Sequence, residues 1–297
     1  MKKALSTIKL QDTSTIIGTG SRLEQYWQKN GFVNFYTKFR TGMKLPQAFQ
    51  TVDSVDKLIK LFKLNAIGFG NWVTQEDRFN YMSALTIALY DIDKVIKFKT
   101  NVGLNGLVSF SFGARGQGGA LAHFEPSTFI INVTRYANYD ENKEHRFVYT
   151  GGAGSVAHEY GHALDYYFGM FKEKITDIAA LSGGRTTRTR YDIEPTILRE
   201  KMNGLLTAII WKQPYKTLSN YYERLNANFE GDYMFRRNEI FARAFEKYIQ
   251  FKLRKLGINN KFLNEPKYDT RAYLTDAEIT KVLPLFDDLI KAMADKV

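Results

Sequence analysis

The chain has 297 residues, 44% hydrophobic and 14% aromatic with six prolines, which describes a folded protein with a sizeable core and excludes disordered and collagen-like classes. It contains no cysteine, so disulfides, thiolate metal sites and cysteine nucleophiles are excluded, and any zinc must be held by imidazole and carboxylate. The formal net charge of +11 attracts polyanions, although scattered lysines serve plain solubility equally well.

Residues 21 to 65 read as short helices joined by loops, since the apolar residues of PQAFQTVDSVDKLIKLFKL recur at helical spacing. The segment TQEDRFNYMSALTIALYDIDKVIKF places Thr74 as a cap and Phe79, Met82, Leu85, Leu89, Ile92 and Ile96 in one stripe, the pattern of a long core helix. Short β-like runs follow, GLVSFSFG and ALAHFEPSTFIINVTRY, the second broken by Glu-Pro-Ser-Thr as a hairpin turn. FIINVTR is the last predicted strand and, if it is an edge, could take an extended substrate by β-addition. SGGRTTRTRY, around residues 182 to 191, reads as a mobile basic loop, and mostly helical sequence runs from Pro195 to the end. The tail LTDAEITKVLPLFDDLIKAMAD opens on a Thr275 and Glu278 capping box, and Pro284 is expected to kink or divide it. The fold class is α+β, organised as a helical region 1–65, a catalytic-type domain 66–255 and a helical tail 256–297. No window approaches the roughly 18 apolar residues of a membrane span and no secretory leader is expected, so the default location is cytoplasmic.

The stretch TGGAGSVAHEYGHALDYYFG holds two of the four histidines, four residues apart with a glutamate between them. Gly151, Gly152 and Gly154 end what precedes, Ser155 is a good N-cap, and a helix is predicted from Val156 to Phe168 with Gly169 as its stop. At about 100° per residue, His158, His162 and Asp165 fall within an arc of about 60°, opposite Val156, Tyr160, Leu164 and Tyr167. Two imidazoles one turn apart can converge on one zinc ion, Glu159 lies about 100° round the helix in reach of a water there, and Asp165 is placed to fix an imidazole tautomer.

Such a site needs a third protein donor and leaves one position for solvent. In RRNEIFARAFEKYIQ, Phe241, Ala244, Phe245 and Tyr248 mark an apolar face while Glu239, Arg243 and Glu246 form a polar line. Glu239, Asp177 and Glu246 all compete for the third ligand, and Glu239 with Arg243 reads equally well as a surface ion pair.

Several segments together resemble a known family. FGNWVTQEDR, ALAHFEP followed by FIINVTR, GAGSVAHEYGHALDYYFG and NEIFARAFEKY occur, between about Ala66 and Gln250, in the order and form of the first large polyvalent protein-associated domain, a zincin-like family of bacteriophages and mobile elements. The resemblance implies a gluzincin-type metallopeptidase with zinc as cofactor, His158, His162 and Glu239 as ligands and Glu159 as general base. Tyr160 stands where the family often has Trp. It further implies a protein or peptide substrate and a host-cell cytoplasmic location or packaging in a virion. Candidates for a second oxyanion donor are His123, Tyr222, Tyr233 and Arg243, among which the sequence does not choose. The alternative reading is a catalytically silent zincin-fold binding or virion-associated protein, contacting DNA through Arg185, Arg188 and Arg190.

Overall fold

A computed structural model describes residues 40–50, 55–70, 73, 75–113, 122–134, 154–173, 180–189, 196–264 and 267–297. Its first half runs β1 (Arg40–Thr41), a 3-10 turn (Gln47–Phe49), α1 (Val55–Phe62), β2 (Ala66–Phe69), α2 (Gln75–Ile96), β3 (Ser109–Phe112), β4 (Ala122–Glu125) and β5 (Ile130–Val133). The second half runs α3 (Val156–Tyr167), α4 (Ile197–Ile210), β6 (Trp211–Lys212), β7 (Thr217–Leu218), α5 (Asn220–Asn228), α6 (Arg237–Lys255), β8 (Asn259–Asn260) and α7 (Asp276–Ala294). Small sheets and separate helical runs make this an α+β chain. Among the described residues no helix is long and apolar enough to cross a membrane. Most of the 1–65 region, the Thr74 cap, Asp177 and Arg190 lie outside the described residues.

The chain divides into two compact units, Met1–Glu159 with Leu253–Pro266, and Tyr160–Lys252 with Lys267–Val297. The first contains a four-stranded sheet in the order β2-β3-β5-β4, with β2, β3 and β5 parallel and β4 antiparallel to β5. The Glu-Pro-Ser-Thr segment turns β4 into β5 as its residue types predict. FIINVTR, however, is an interior strand: β5 is paired on both sides and the edges are β2 and β4, so strand addition onto β5 is excluded. Sheet order is set by which strands find each other across the chain, and no local pattern reports it.

In the same unit α2 buries its predicted stripe, with Met82, Leu85, Leu89 and Ile92 all 0% exposed. It also buries Ser83, Thr86 and Asp91, so the helix is enclosed on more than the one face that its stripe marks. Thr86 donates its hydroxyl to the Met82 carbonyl at 2.8 Å, which settles the polar atom inside the helix. Asp91 accepts from Arg40 at 2.8 and 2.9 Å and from Asn260 Nδ2 at 3.0 Å. This triad ties β1, α2 and β8 together; burial pushes the Asp91 carboxyl up in pKa and the guanidinium opposes it. Tyr81 and Phe69 both stack on Phe112, with centroids 4.5 and 5.5 Å away, fixing α2 to the sheet.

The second unit is mostly helical. α7 begins with the predicted capping box of Thr275 and Glu278 but runs unbroken through Pro284, which lies on its exposed side. A proline there forfeits one backbone hydrogen bond whose carbonyl can turn to water, so the helix is not divided. Phe286 of α7 stacks on Tyr248 at 4.8 Å and on Phe241 at 6.2 Å, joining α7 to the apolar face of α6. The short β6–β7 hairpin interrupts the helical run that the sequence pattern implies.

Candidate metal centre

α3 starts at Val156 directly after Ser155, whose carbonyl accepts from the Glu159 N–H at 3.2 Å. It does not stop at Gly169: a π-helical turn, Phe168–Lys172, carries the chain on, and Glu173 N–H donates to Phe168 O at 3.1 Å. A glycine permits a helix end but does not impose one, and the burial of Phe168 holds this turn in place. The face predicted to be buried is so: Val156, Tyr160 and Leu164 are each 0% exposed.

His158, His162 and Glu239 form one cluster, each offering a ligand atom within 4.8 Å of the others. The His162 Nε2 to Glu239 Oε1 distance is 3.3 Å. Two donors bound about 2.0 to 2.1 Å from a tetrahedral zinc lie roughly 3.3 to 3.4 Å apart, so this pair already has the separation of a coordination edge. Two imidazoles and a carboxylate are also a borderline-hard donor set of the kind zinc takes, with one position left over. The residues present therefore fit the ion.

Glu239 reaches the histidines because α6 comes unusually close to α3. Gly161, inside the His-Glu-Tyr-Gly-His motif, is the point of approach: a Cβ built there would lie 3.1 Å from Phe245 Cδ1 and 3.2 Å from Ala242 Cα. Ala242 and Phe245 are one and two turns beyond Glu239 on the same helix. The small residue thus sets the helix separation that the ligand set requires.

The polar line of α6 is not a surface feature. Glu239, Arg243 and Glu246 are 6%, 4% and 1% exposed, so the reading of Glu239 with Arg243 as a solvated ion pair is corrected. Their Nη1 to Oε2 separation is 3.9 Å, and the Arg243 guanidinium donates instead to the Met234 carbonyl and, at 3.5 Å, to the Tyr221 hydroxyl. Glu246, the rival ligand, accepts from Tyr268 and Tyr273 hydroxyls at 2.8 and 3.0 Å and is outside the histidine cluster. Buried polar groups must find partners, and these come from residues far along the chain.

Asp165 is 0% exposed and accepts from the Ser182 N–H at 2.7 Å and the Ser182 hydroxyl at 2.6 Å. Burial pushes its carboxyl up to about 6, against the Ser182 bonds and the nearby charges of His162 and Arg237. The segment 182–191 is expected to be a mobile loop; its described part, 182–189, is instead pinned to the start of α6. The first N–H groups of that helix, Arg237 and Asn238, donate to the carbonyls of Thr186 and Gly184 at 2.8 and 3.1 Å. The Arg237 side chain, 2% exposed, donates to Ser182 O at 2.6 Å, Thr189 Oγ1 at 3.2 Å and Asn203 Oδ1 at 2.7 Å. Helix N-termini need such acceptors, so the loop caps α6 while Ser182 links it to α3. Its basic members Arg185 and Arg188 remain exposed.

Of the other candidates, Tyr233 is 54% exposed in a 3-10 turn, Tyr233–Phe235, just before α6. Tyr222 packs its ring on Phe235 at 5.5 Å, and burial raises its phenol pKa. His123 lies on β4 with Nε2 3.3 Å from Glu125 Oε1. Glu159 is 7% exposed on α3. Tyr166 was missed. It is 6% exposed, and burial pushes its phenol pKa up with the Asp165 and Glu239 carboxylates adding to the effect and Arg185 opposing it. Its i+4 spacing from His162 was the available signal.

No curated protein and no solved structure matches the chain. Residues 225–297 match the family model of large polyvalent protein-associated domain 1, which includes Glu239 and all of α7 but begins after both histidines of the cluster. The match overlaps the sequence resemblance only from 225 to 250 and extends into the region read as a separate tail. Over this C-terminal segment the chain is similar to the large polyvalent protein-associated domain 1 family.

Proposed function

We propose that the chain is a zinc-dependent peptidase of gluzincin type, with His158, His162 and Glu239 as ligands and a protein or peptide as substrate. The observation that carries this reading is the convergence of those three donors within 4.8 Å on two helices that Gly161 allows to approach. A bound ion supplies Lewis acidity, which acidifies water and polarises the scissile carbonyl. Glu159 takes the proton from the attacking water and later returns it to the leaving amine. Arg243, held by Met234 and Tyr221 with Nη1 3.9 Å from the second oxygen of Glu239, is too enclosed to meet substrate. Tyr233, 54% exposed in the turn just before α6, is the candidate of the two that solvent, and hence substrate, can reach to offer a donor to a developing oxyanion. The matched domain supports a setting in phage or mobile-element polyvalent proteins.

Metal analysis and cleavage of an unfolded protein test the reading together. The wild-type chain is expected to hold about one zinc per molecule and Glu239→Ala to lose it, while Glu159→Gln keeps zinc but cleaves about 10²- to 10⁴-fold more slowly. Zinc retained in Glu239→Ala would remove Glu239 as ligand. Zinc bound with no cleavage by wild type would leave a metal-stabilised binding protein.

A further inference from the structure

Three of the seven large apolar side chains exposed among the described residues fall in one concavity: Trp211 at 39%, Tyr215 at 46% and Leu285 at 38%. They rim a groove of about 520 Å³ walled by the end of α4, the β6–β7 hairpin, the start of α5 and one side of α7. Its floor is aliphatic, from Ile209 and Val282, and Lys212 and Lys281 line its edge. Isolated exposed apolar residues are ordinary, but a cluster of them in a concave site marks recognition.

The charge available there is positive. Glu278, the acid among the lining residues, accepts from Arg224 at 2.8 and 2.7 Å and from the Thr275 N–H at 2.9 Å. Glu223 faces Lys212 at 3.6 Å with both side chains well exposed, a pairing of about 1 kcal/mol or less that leaves the lysine open to a better partner. On α7, Asp287 is held by Lys252 at 2.8 Å and Asp288 by Lys201. The neighbouring acids are therefore matched, while Lys281 and Lys216 add exposed cations.

We infer that this groove is a docking site for an acidic amphipathic segment of a partner protein. Apolar side chains of that segment settle between Trp211, Tyr215 and Leu285, and its carboxylates meet Lys212 and Lys281. A second copy of this chain is disfavoured because each carries a net charge of +11. Nucleic acid is disfavoured because the floor between the Trp211 and Tyr215 rings is aliphatic, from Ile209 and Val282, and no arginine is among the lining residues to fork onto phosphate. The inference does not rest on the metal centre.

Panning a random dodecapeptide display library against the full chain, followed by anisotropy measurements on the recovered peptides, tests it. The recovered sequences should combine aromatic or aliphatic residues with net negative charge. Their dissociation constants should rise about tenfold or more in Leu285→Asp and in Lys281→Glu. Both side chains are exposed, so circular dichroism and melting should be unchanged; if Leu285→Asp alters the melt, Trp211→Ser takes its place. Recovery of no sequence, of sequences lacking acids, or of peptides that bind both variants like wild type overturns the inference. It is also overturned if an oligo(dT) strand binds and is lost in the same variants, or if sedimentation shows a dimer that Leu285→Asp dissolves.

Discussion

At the scale of single residues, Asp165 carries the clearest electrostatic consequence. Its carboxyl is raised from 3.8 to about 6 by burial, so between those values the native chain keeps a proton that the unfolded chain has released. Unfolding free energy therefore falls as pH rises through this window. The favourable contribution is complete below about 4 and gone above about 6. Two pKa units correspond to roughly 3 kcal/mol. Urea titrations of the metal-free protein should show wild type losing about that much stability relative to Asp165→Asn between pH 4 and pH 7. Parallel curves for the two chains would mean that the carboxylate is ionised throughout. Arg40 is the contrasting case in the other unit, a buried cation whose two bonds to Asp91 hold a carboxylate that would otherwise be stranded.

Among elements, segment 182–189 is the connector, because it joins the histidine helix to the helix bearing Glu239 and caps the latter. Replacing Arg237 with Met removes three hydrogen bonds, one buried and two half-buried, and should cost about 2 to 4 kcal/mol. Hydrogen exchange should then show the amides of Ser182 to Thr186 and the first turn of α6 opening together. If only the loop amides respond, the loop is not the cap. Much of this was legible in advance where the signal is local. The stripe of α2, the apolar face of α6, the Thr275 and Glu278 box and the hairpin turn after Glu125 all follow from spacing or turn chemistry among near neighbours. What was not legible depends on distant partners. Nothing near Glu246 announces Tyr268 and Tyr273, and nothing in FIINVTR says that β3 and β4 flank it. SGGRTTRTRY has the composition of a solvated loop, and only the acceptors it offers to α6 reveal its fixed place. The histidine motif was readable because its donor chemistry and its helical period coincide, whereas the close approach at Gly161 needed the opposing helix to be seen.

For the whole molecule, the proposed ligand set would couple metal to folding, since His158, His162 and Glu239 come from separate stretches of the chain that meet only in the native state. At a zinc concentration 100-fold above its dissociation constant the native state should gain about 2.7 kcal/mol, a rise of several degrees in the melting temperature. Calorimetry with and without a chelator measures this, and the difference should vanish in Glu239→Ala. An equal chelator effect in that variant would place the stabilising ion elsewhere. Gly161 gives this coupling a direction. Because a side chain at Gly161 would crowd Ala242 and the Phe245 ring, the spacing of the proposed ligands and the tightness of this helix seam are linked. The grip on a bound ion would then be gauged by a residue that owns no donor atom, and any sequence change that swells the seam would loosen the proposed chelate while leaving every ligand in the sequence.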